Sequence, residues 1–404
     1  MAIRKLRVMV INDNHPKIFP GAATIAERMA RDLSGIFEVT FCWPHQDSSN
    51  VYIESMQFSG EEEVEFCRSK GGKRAPRISL FRKFLFLILL RSRVNRDRPD
   101  VIWFHNVGVH FPRIAIVMIK SLGFPVMITL HDYTWLTWRN SKLYPEQLVN
   151  GKQIDDSGII PLDSAKLRGL KYISLKSLIL EFSLKYHRAI FKFIDEVICI
   201  SKQQQSIYSA NGFRVDSIVA NYVPICNCTI ETKDSVEQIN ILFAGRPIGK
   251  GLDLVLDLVS HNANHYLHLA GREELEVLAC KVIDTDRFSY HGQLNEQEMV
   301  KLLHEVDIVL CLSQCFDVYP TVVLESLAHG VAMLLSNTCG NFPLLNQVCP
   351  ESIVWHGEKI NELAIISVIE TFKHSQRVIR ELVPHKNLII GQLSEIIEDV
   401  SSCG

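Results

Sequence analysis

The segment CLSQCFDVYPTVVLESLAHG, from Cys311 to Gly330, passes from one structural pattern to another. It begins inside the apolar run Ile308–Leu312, which indicates a buried β-strand. It ends in Pro320–His329, where apolar residues recur at helical spacing. Proline suits the first turn of a helix, because its missing N–H is not needed there. A strand, a polar loop and a helix in this order predict one unit of an open parallel α/β sheet.

The same alternation continues on both sides of this segment. In such sheets buried parallel strands are near-continuous apolar runs, and helices connect them. The predicted strands of the C-terminal half are Ile239–Phe243, His265–Ala270, Phe288–His291, Ile308–Leu312 and Val331–Ser336, and the predicted helices are Leu252–Val259, Asn295–Glu305 and Pro320–His329.

The N-terminal half shows a second series of strands and helices. Polar, aperiodic sequence around Pro224 separates the two halves, as a linker does. We therefore predict an N-terminal domain at 1–222, a linker at 223–238, a C-terminal domain at 239–375 and a helical segment at 376–404 that packs back on the N-terminal domain. The predicted N-terminal elements are the strands Leu6–Asn12, Phe37–Trp43, Val101–Phe104, Val126–Leu130 and Glu196–Ile200 and the helix Thr24–Leu33.

Composition describes a globular chain with two differently charged halves. Of 404 residues, 47% are hydrophobic and 22% are charged, which excludes a disordered protein. The eleven cysteines show no metal-ligand spacing, with Cys226 and Cys228 the nearest pair, so we expect a reduced, cytoplasmic protein. Residues 1–215 contain 31 Lys and Arg against 20 Asp and Glu, and the later half is acidic. The initial apolar run predicts a first strand, not a secretion signal.

Two cations lie in the turn that follows the strand ILFAG. Arg246 and Lys250 stand among glycines before an amphipathic helix. Ligands of open α/β sheets bind beyond the carboxyl ends of strands, where a guanidinium and an ammonium suit phosphate oxygens. Taken alone, this is a weak signal, because a basic residue in a strand-to-helix turn is more often solvated than functional.

The second candidate group lies in Cys311–Gly330. The amides of Thr321 and Val322 come at a helix N-terminus, where the helix dipole favours an anion. Asp317 precedes this helix and Glu325 lies within it, so both carboxylates can accept hydrogen bonds from sugar hydroxyls. The alternative is that Asp317 caps the helix and Glu325 pairs with a surface lysine.

These motifs carry a resemblance that spans nearly the whole chain. Residues 311–330 resemble the E-x7-E region of retaining glycosyltransferase family four, and the Gly-Arg…Lys-Gly turn is similar to that family's diphosphate clamp. Residues 197–224 and 288–313 also resemble segments of this family. The resemblance implies the GT-B fold, in which two Rossmann-like doubly wound domains face each other across a cleft.

The resemblance also implies roles for individual residues. Arg246 and Lys250 would neutralise the donor diphosphate, Glu325 would bind the ribose hydroxyls, and Asp317 would contact the transferred sugar. Two features depart from the family pattern, since Asp317 stands where Glu is usual and the interval from Arg to Lys is one residue shorter. The predicted donor-binding residues are Gly21, Arg246, Lys250, Gly292, Asp317, Tyr319, Thr321, Val322 and Glu325.

Two histidines end predicted strands of the N-terminal half. The run TLHDYTW resembles the family's cleft histidine segment, which assigns His131 a contact with the donor sugar and a catalytic role beside Asp317, Arg246 and Lys250. His105 is placed on the acceptor side with Asp132, although Asp132 can instead order its loop. The loop Ile18–Thr24 resembles the family's glycine-rich loop, and its small residues at Gly21 and Ala22 permit close approach of a ligand.

The sequence therefore predicts a retaining glycosyltransferase that moves a hexose from a nucleotide-diphospho-sugar to a saccharide hydroxyl. We expect no metal and no cofactor, because the cations already balance the diphosphate. A lipid-linked acceptor of surface polysaccharide synthesis is expected by analogy. The alternatives are a nucleotide-sugar epimerase of the same fold and a non-catalytic glycan- or sugar-nucleotide-binding subunit. A dinucleotide oxidoreductase is disfavoured, because no strand is followed by G-x-G-x-x-G.

Basic and apolar residues alternate in two segments of the N-terminal half. Arg68–Arg98 contains eleven Lys and Arg and one acid around the apolar run Phe84–Leu90, which is too short to span a bilayer. Lys166–Lys192 adds seven Lys and Arg with one Glu. Either the first segment is a buried helix with solvated ends, or both rest on an anionic membrane at its cytoplasmic face. The apolar runs make nucleic acid a poorer partner.

Overall fold

The computed structural model describes most of the chain in two units. The first unit contains the described residues within 4–136, 175–220 and 387–402, and the second contains those within 143–145 and 221–386. Most of the predicted linker lies outside the described residues. These are 4–14, 21–46, 50–59, 62–68, 73–74, 79–108, 110–136, 143–145, 175–224, 238–355, 357–358, 360 and 362–402.

The first unit is built on a sheet of nine described strands in the order β4-β3-β2-β1-β6-β7-β8-β9, with β5 beside β3. Its strands are β1 (Arg7–Asn12), β2 (Glu38–Gln46), β3 (Asn50–Ser59), β4 (Glu62–Arg68), β5 (Lys73–Arg74), β6 (Val101–His105), β7 (Val126–Leu130), β8 (Glu196–Cys199) and β9 (Ser217–Ile218). Its helices are α1 (Ala22–Leu33), α2 (Ser79–Asp97), α3 (Ile114–Ser121), α4 (Leu175–Phe191) and α5 (Lys202–Ala210).

The centre of this sheet is parallel and fully buried. Strand β1 pairs in parallel with β2 and with β6, and every residue of β6 and β7 is buried. An antiparallel extension, β3 with β4 and β5, continues from β2 and was not predicted. The sequence between β2 and β3 contains the polar run Asp47-Ser48-Ser49, a pattern that favours a break between two strands.

The second unit contains a parallel sheet of six described strands in the order β12-β11-β10-β13-β14-β15. Its strands are β10 (Ile239–Gly245), β11 (His265–Gly271), β12 (Phe288–Gly292), β13 (Ile308–Cys311), β14 (Ala332–Ser336) and β15 (Ile353–Val354). Its helices are α6 (Leu252–His261), α7 (Glu274–Ala279), α8 (Glu296–Glu305), α9 (Thr321–His329), α10 (Phe342–Asn346) and α11 (Glu362–Arg380). Helix α12 (Lys386–Ser402) belongs, from residue 387, to the first unit.

Local sequence explains how several of these helices begin and end. Asn295 caps α8 with a capping box, in which its side chain accepts from the Glu298 amide at 3.0 Å and Glu298 accepts from the Asn295 amide at 2.8 Å. Helix α9 ends at Gly330, whose φ of 71° is left-handed, as expected of a glycine that ends a helix. The predicted α/β class with two Rossmann-like parallel sheets is confirmed. No helix among the described residues is long and apolar enough to cross a bilayer.

Candidate functional site

Two loops of the second unit meet at the point where the strand order reverses. Strand β10 lies between β11 and β13, so the chain runs outward from β10 in one direction and then restarts on its other side. Ligands of open α/β sheets bind at this reversal, beyond the carboxyl ends of the strands. The turn at 246–251 follows β10 and the loop at 312–320 follows β13. The predicted donor motifs therefore lie at the ligand-binding position of this fold.

Backbone hydrogen bonds hold these two loops against each other. The amides of Gln314 and Cys315 donate to the Gly249 carbonyl at 3.0 and 3.3 Å. The Gln314 side chain also donates to Asp253 at 2.8 Å, which ties the loop to the first turn of α6. None of these contacts involves the side chain of Arg246 or Lys250, so the position of the turn is fixed without the use of its charged groups.

Lys250 and Asp317 form an ion pair at the centre of this site. The Lys250 ammonium donates to the Asp317 carboxylate, and Ser313 Oγ donates to the same carboxylate oxygen at 3.3 Å. The two side chains are only 28% and 15% exposed. Burial of the ammonium opposes its charge, but the adjacent Asp317 carboxylate outweighs this and raises the pKa of Lys250. The lysine is therefore a permanent cation whose position the aspartate sets.

The backbone of Asp317 is held as firmly as its side chain. Its amide donates to the Thr338 carbonyl at 3.0 Å, and its carbonyl accepts from the Gly340 amide at 2.7 Å. These bonds form a parallel bridge between Asp317 and Cys339, beyond the end of β14. The backbone of Asp317 is thus anchored to the segment that follows β14, and its carboxylate is held by Lys250, so the position of the carboxylate is fixed before any ligand arrives.

Arg246 follows β10 directly and differs from Lys250. Its side chain is exposed, and no hydrogen bond or ion pair joins it to another residue that the structure describes. An unpaired guanidinium beside a paired ammonium gives the turn one fixed cation and one that can move toward a ligand. This arrangement suits the two charges of a diphosphate.

The N-terminus of α9 opens beside the same loop. Pro320 is its N-cap residue with an extended backbone, so the helix begins one residue later than predicted, at Thr321. No side chain caps this end, and the alternative that Asp317 caps α9 is wrong, because its carboxylate pairs with Lys250. Thr321 is partly exposed and Val322 is buried. The helix end therefore retains amides that can bind an anion.

The remaining donor candidates of this unit differ in what they offer a ligand. Glu325 is partly exposed and lies four residues after Thr321, hence on the same face of α9. Gly292 ends β12 with a φ of 70° and is also partly exposed. Tyr319 is only 8% exposed, and burial raises the pKa of its hydroxyl. Tyr319 thus packs in the loop and presents little surface to a ligand.

The structure brings His105 and His131 of the first unit into direct contact. His105 Nδ1 lies 2.8 Å from His131 Nε2, and the two rings are stacked with their centroids 5.1 Å apart. Burial lowers the pKa of His131 to about 4, and burial together with His131 lowers the pKa of His105. Both rings are therefore neutral at physiological pH and share one N–H between them. A neutral His131 can exchange hydrogen bonds with a hydroxyl.

Asp132 and Gly21 complete the predicted residues of this unit. The Asp132 carboxylate accepts from the amide and the hydroxyl of Thr134, at 2.9 and 2.7 Å. These bonds are an Asx-type turn, so Asp132 orders its own loop. Gly21 is the N-cap residue of α1, is exposed and has a φ of 103°. The preceding residues of the predicted glycine-rich loop, 18–20, lie outside the described residues.

A pair of sulfur atoms that was not predicted lies beside the ion pair. The cysteines show no metal-ligand spacing in the sequence, yet the sulfurs of Cys311 and Cys339 lie 3.8 Å apart. Cys311 ends β13, and Cys339 follows the adjacent parallel strand β14. Ligand spacing in sequence detects only local pairs, whereas adjacent strands of a parallel sheet bring distant residues together. Two predicted strands of one parallel sheet, with a cysteine near the carboxyl end of the first and another shortly after the second, are the signal that would have found them.

Comparison with known proteins agrees with the fold. Residues 231–347 match the family model of glycosyl transferases group 1, which covers the turn, the loop and α9. Among curated proteins, none matches the sequence. Many solved structures share the fold, and the neighbours described next are GT-B glycosyltransferases.

Three solved structures illustrate this likeness. Sucrose-phosphate synthase from Thermosynechococcus elongatus is 13% identical, with a TM-score of 0.67 over 99% of this chain and 100% of that one. Anabaena HepE, in complex with UDP-glucose, is 15% identical, with a TM-score of 0.61 over 98% and 100%. The glycosyltransferase WaaG, involved in lipopolysaccharide biosynthesis, is 12% identical, with a TM-score of 0.59 over 97% and 99%. The family match and the common fold support glycosyl transfer as the reaction class.

Proposed function

We propose that the protein is a retaining, metal-independent glycosyltransferase that moves a hexose from a nucleotide-diphospho-sugar to a saccharide hydroxyl. The observation that carries this proposal is the Lys250–Asp317 pair, held between two loops at the reversal of strand order. A fixed cation beside a fixed carboxylate suits a ligand that has both a diphosphate and sugar hydroxyls. The UDP-glucose bound to the similar Anabaena HepE supports a donor of this class.

In this proposal each group of the donor site has a separate task. Arg246 and Lys250 neutralise the diphosphate together with the amides at the start of α9. Asp317 accepts hydrogen bonds from the transferred sugar, and Glu325 accepts them from the ribose. The charge of the leaving diphosphate grows as its bond to the sugar breaks, so cations already in place stabilise the transition state more than the substrate.

The transfer exchanges one bond to the anomeric carbon for another. The bond to the diphosphate oxygen breaks, and the acceptor oxygen bonds to the same carbon from the same face. The proton of the acceptor hydroxyl passes to the departing phosphate. We assign His131 a contact with the transferred sugar, and its lowered pKa of about 4 keeps it neutral in that role. Retention of configuration follows from attack on the face that the diphosphate leaves.

A donor screen tests this proposal directly. We expect one of UDP-, GDP- and dTDP-hexoses to raise the melting temperature, because a ligand bound only to the folded state stabilises it. Replacement of Glu325 with Gln should raise the dissociation constant of the donor about tenfold, because one charged hydrogen bond is lost, and the rise in melting temperature should shrink accordingly. The matched control is Glu296→Gln, which changes an exposed residue of α8. The donor should protect this variant as well as it protects the wild type. Protection by none of the donors would contradict the proposal.

Product analysis separates the alternatives. Incubation with donor and no acceptor yields free sugar and nucleoside diphosphate from a transferase, an epimerised donor from an epimerase, and unchanged donor from a binding subunit. Proton NMR of the first glycoside formed reports its anomeric configuration, and an inverted product would contradict retention. Activity in excess chelator tests independence from metal ions.

We further propose that the acceptor is lipid-linked and that the first unit rests on an anionic membrane at its cytoplasmic face. Helix α3 packs against both α2 and α4, and these helices expose apolar side chains. Phe81 and Phe84 of α2 are 57% and 58% exposed, and Phe182 of α4 is 70% exposed. Exposed cations accompany them at Arg91 and Lys185. Large apolar side chains among basic residues fit an anionic lipid surface.

Helix α2 has one face in the proposed membrane surface and one face in the core. In α2, Phe86, Leu89 and Leu90 are buried, so the predicted buried helix and the exposed apolar stripe are two faces of one element. Among the residues of these three helices whose side chains the structure describes, Leu80, Ile88, Ile114 and Tyr186 are also exposed and apolar. The segments 69–72, 75–78 and 166–174 of the basic regions lie outside the described residues. Participation in surface polysaccharide synthesis is proposed from WaaG, which acts in lipopolysaccharide biosynthesis.

Vesicle flotation tests the membrane surface. We expect the protein to float with vesicles containing phosphatidylglycerol and to remain below with phosphatidylcholine alone. Phe81→Ser/Phe84→Ser should lower recovery about tenfold or more, because each phenylalanine contributes up to ~2 kcal/mol when buried. The control is Leu363→Ser/Val378→Ser, which removes apolar side chains that are 76% and 50% exposed on α11. Equal recovery with both lipids, or equal losses in both variants, would contradict the assignment.

A further inference from the structure

Two buried thiols lie directly beside the ion pair of the proposed donor site. The sulfurs of Cys311 and Cys339 are 3.8 Å apart, and the two residues are 8% and 0% exposed. Both are free cysteines. Neither has a role in the proposed transfer, in which the diphosphate and the sugar are bound by nitrogen and oxygen groups.

The Asp317 carboxylate completes a group of three donor atoms. One of its oxygens and the two sulfurs all lie within 4.8 Å of one another. The parallel bridge between Asp317 and Cys339 holds two of these residues together, and the pairing of β13 with β14 brings the third to the same place. The backbone thus places the three ligands together, and the Asp317 side chain is 15% exposed to solvent.

The spacing of the sulfurs fits a tetrahedral metal centre. Zinc binds thiolate sulfur at about 2.3 Å, and two such ligands at the tetrahedral angle lie about 3.8 Å apart. This is the separation of Cys311 Sγ and Cys339 Sγ. Two thiolates and one carboxylate are a soft donor set that favours zinc or cadmium over magnesium or calcium.

The charges also balance when a divalent ion is present. Two thiolates and the Asp317 carboxylate carry three negative charges, and the adjacent Lys250 ammonium carries one positive charge. A divalent cation brings this buried group to neutrality. Each thiol releases its proton to water when its sulfur bonds to the metal, so one metal ion replaces two protons.

We propose that Cys311, Cys339 and Asp317 form a binding site for a thiophilic divalent metal ion, which inhibits donor binding by taking Asp317 away from Lys250. The fourth position is open to water. Such an ion is an inhibitor, not a cofactor, and its presence leaves the expectation of metal-independent transfer unchanged. The proposed metal binding depends only on the three ligands. The proposed inhibition of donor binding also rests on the proposed function.

Cadmium titration tests the metal site. The full-length protein, kept reduced with a phosphine, is titrated with Cd²⁺ against a competing chelator while the sulfur-to-cadmium charge-transfer absorption is recorded. We expect one tightly bound ion per chain. Cys339→Ser should lower the affinity for Cd²⁺ by roughly 100-fold or more, since loss of a group that only hydrogen-bonds to a metal ligand already lowers metal affinity ~10–100-fold. Cys349→Ser, which alters another buried cysteine of this unit, is the matched control and should bind as tightly as the wild type.

Two measurements keep the result decisive if a serine variant folds poorly. Cys339→Ala introduces no buried hydroxyl and should lose binding equally, with circular dichroism and thermal melting used to confirm its fold. The ¹¹³Cd chemical shift of the wild-type complex should report two sulfur ligands and oxygen, and Asp317→Asn should change it. Wild-type affinity no higher than that of Cys311→Ser/Cys339→Ser would overturn the site.

The inhibitory consequence has its own test. One equivalent of Cd²⁺ should abolish the thermal protection given by the donor found in the screen, and a stronger chelator should restore it. Cys339→Ala should retain donor protection in the presence of Cd²⁺. Tight cadmium binding that leaves donor protection intact would overturn the inhibition but not the metal site. If no donor protects, the titration still decides whether the site exists.

Discussion

Replacement of Lys250 with methionine is expected to lower kcat/KM for sugar transfer by about 10³-fold, the scale of losing one preorganised charge at the transition state. Lys250 is the cation that the structure fixes at the strand reversal, and Asp317 holds it there. Methionine keeps most of the length of the side chain and removes its charge. Steady-state transfer kinetics with the donor identified by the screen measure the effect.

The same change is expected to destabilise the second unit. It leaves the partly buried Asp317 carboxylate, 15% exposed, without its ion-pair partner, and a buried acceptor that loses its partner costs about 1–3 kcal/mol. Lys250→Met/Asp317→Asn removes both charges and should regain much of that stability while transfer stays low. This double variant separates the catalytic loss from the folding loss.

The control Lys301→Met alters an exposed lysine of α8 and should leave transfer within twofold of the wild type. Near-normal transfer by Lys250→Met would refute the assignment.

The regular elements of this chain were predictable because its parallel strands are buried on both faces. The strand Val126–Leu130 was predicted with the bounds that the structure gives it. The apolar run of β6 and the helical spacing of α9 gave bounds within one residue of those found. Burial on both faces requires continuous apolar sequence, and that pattern is visible without tertiary information.

The pairing of side chains was less predictable. The sequence placed Lys250 and Asp317 near one ligand, but their direct contact depends on β10 and β13 being neighbours. His105 and His131 were given separate roles, and their ring contact depends in the same way on the parallel pairing of β6 with β7. Strand order is a property of the folded sheet, because loops of many lengths can connect two strands at either edge. Contacts between distant strands therefore require the structure.

Replacement of Gly251 with alanine is expected to lower the stability of the second unit by about 3 kcal/mol or more. Gly251 has a φ of 80°, and a Cβ built there would lie 2.1 Å from the carbonyl oxygen of Leu312. Leu312 directly follows β13, so its backbone cannot move away without disturbing the sheet. The strain of a left-handed alanine adds about 1–2 kcal/mol to this clash. Lys250 precedes Gly251, so the same displacement should also weaken donor protection.

Gly292 provides the control that separates the clash from the conformation. Its φ is 70°, and no heavy atom lies within 4 Å of a Cβ built there. Gly292→Ala should therefore cost only the conformational term, about 1–2 kcal/mol. Thermal and chemical unfolding of both variants measure the difference, which reports how closely the cationic turn is pressed against the loop after β13. Equal losses in the two variants would show that these loops are not held together as the hydrogen bonds to Gly249 indicate, and the ion pair with Asp317 would then be the remaining support for the position of Lys250.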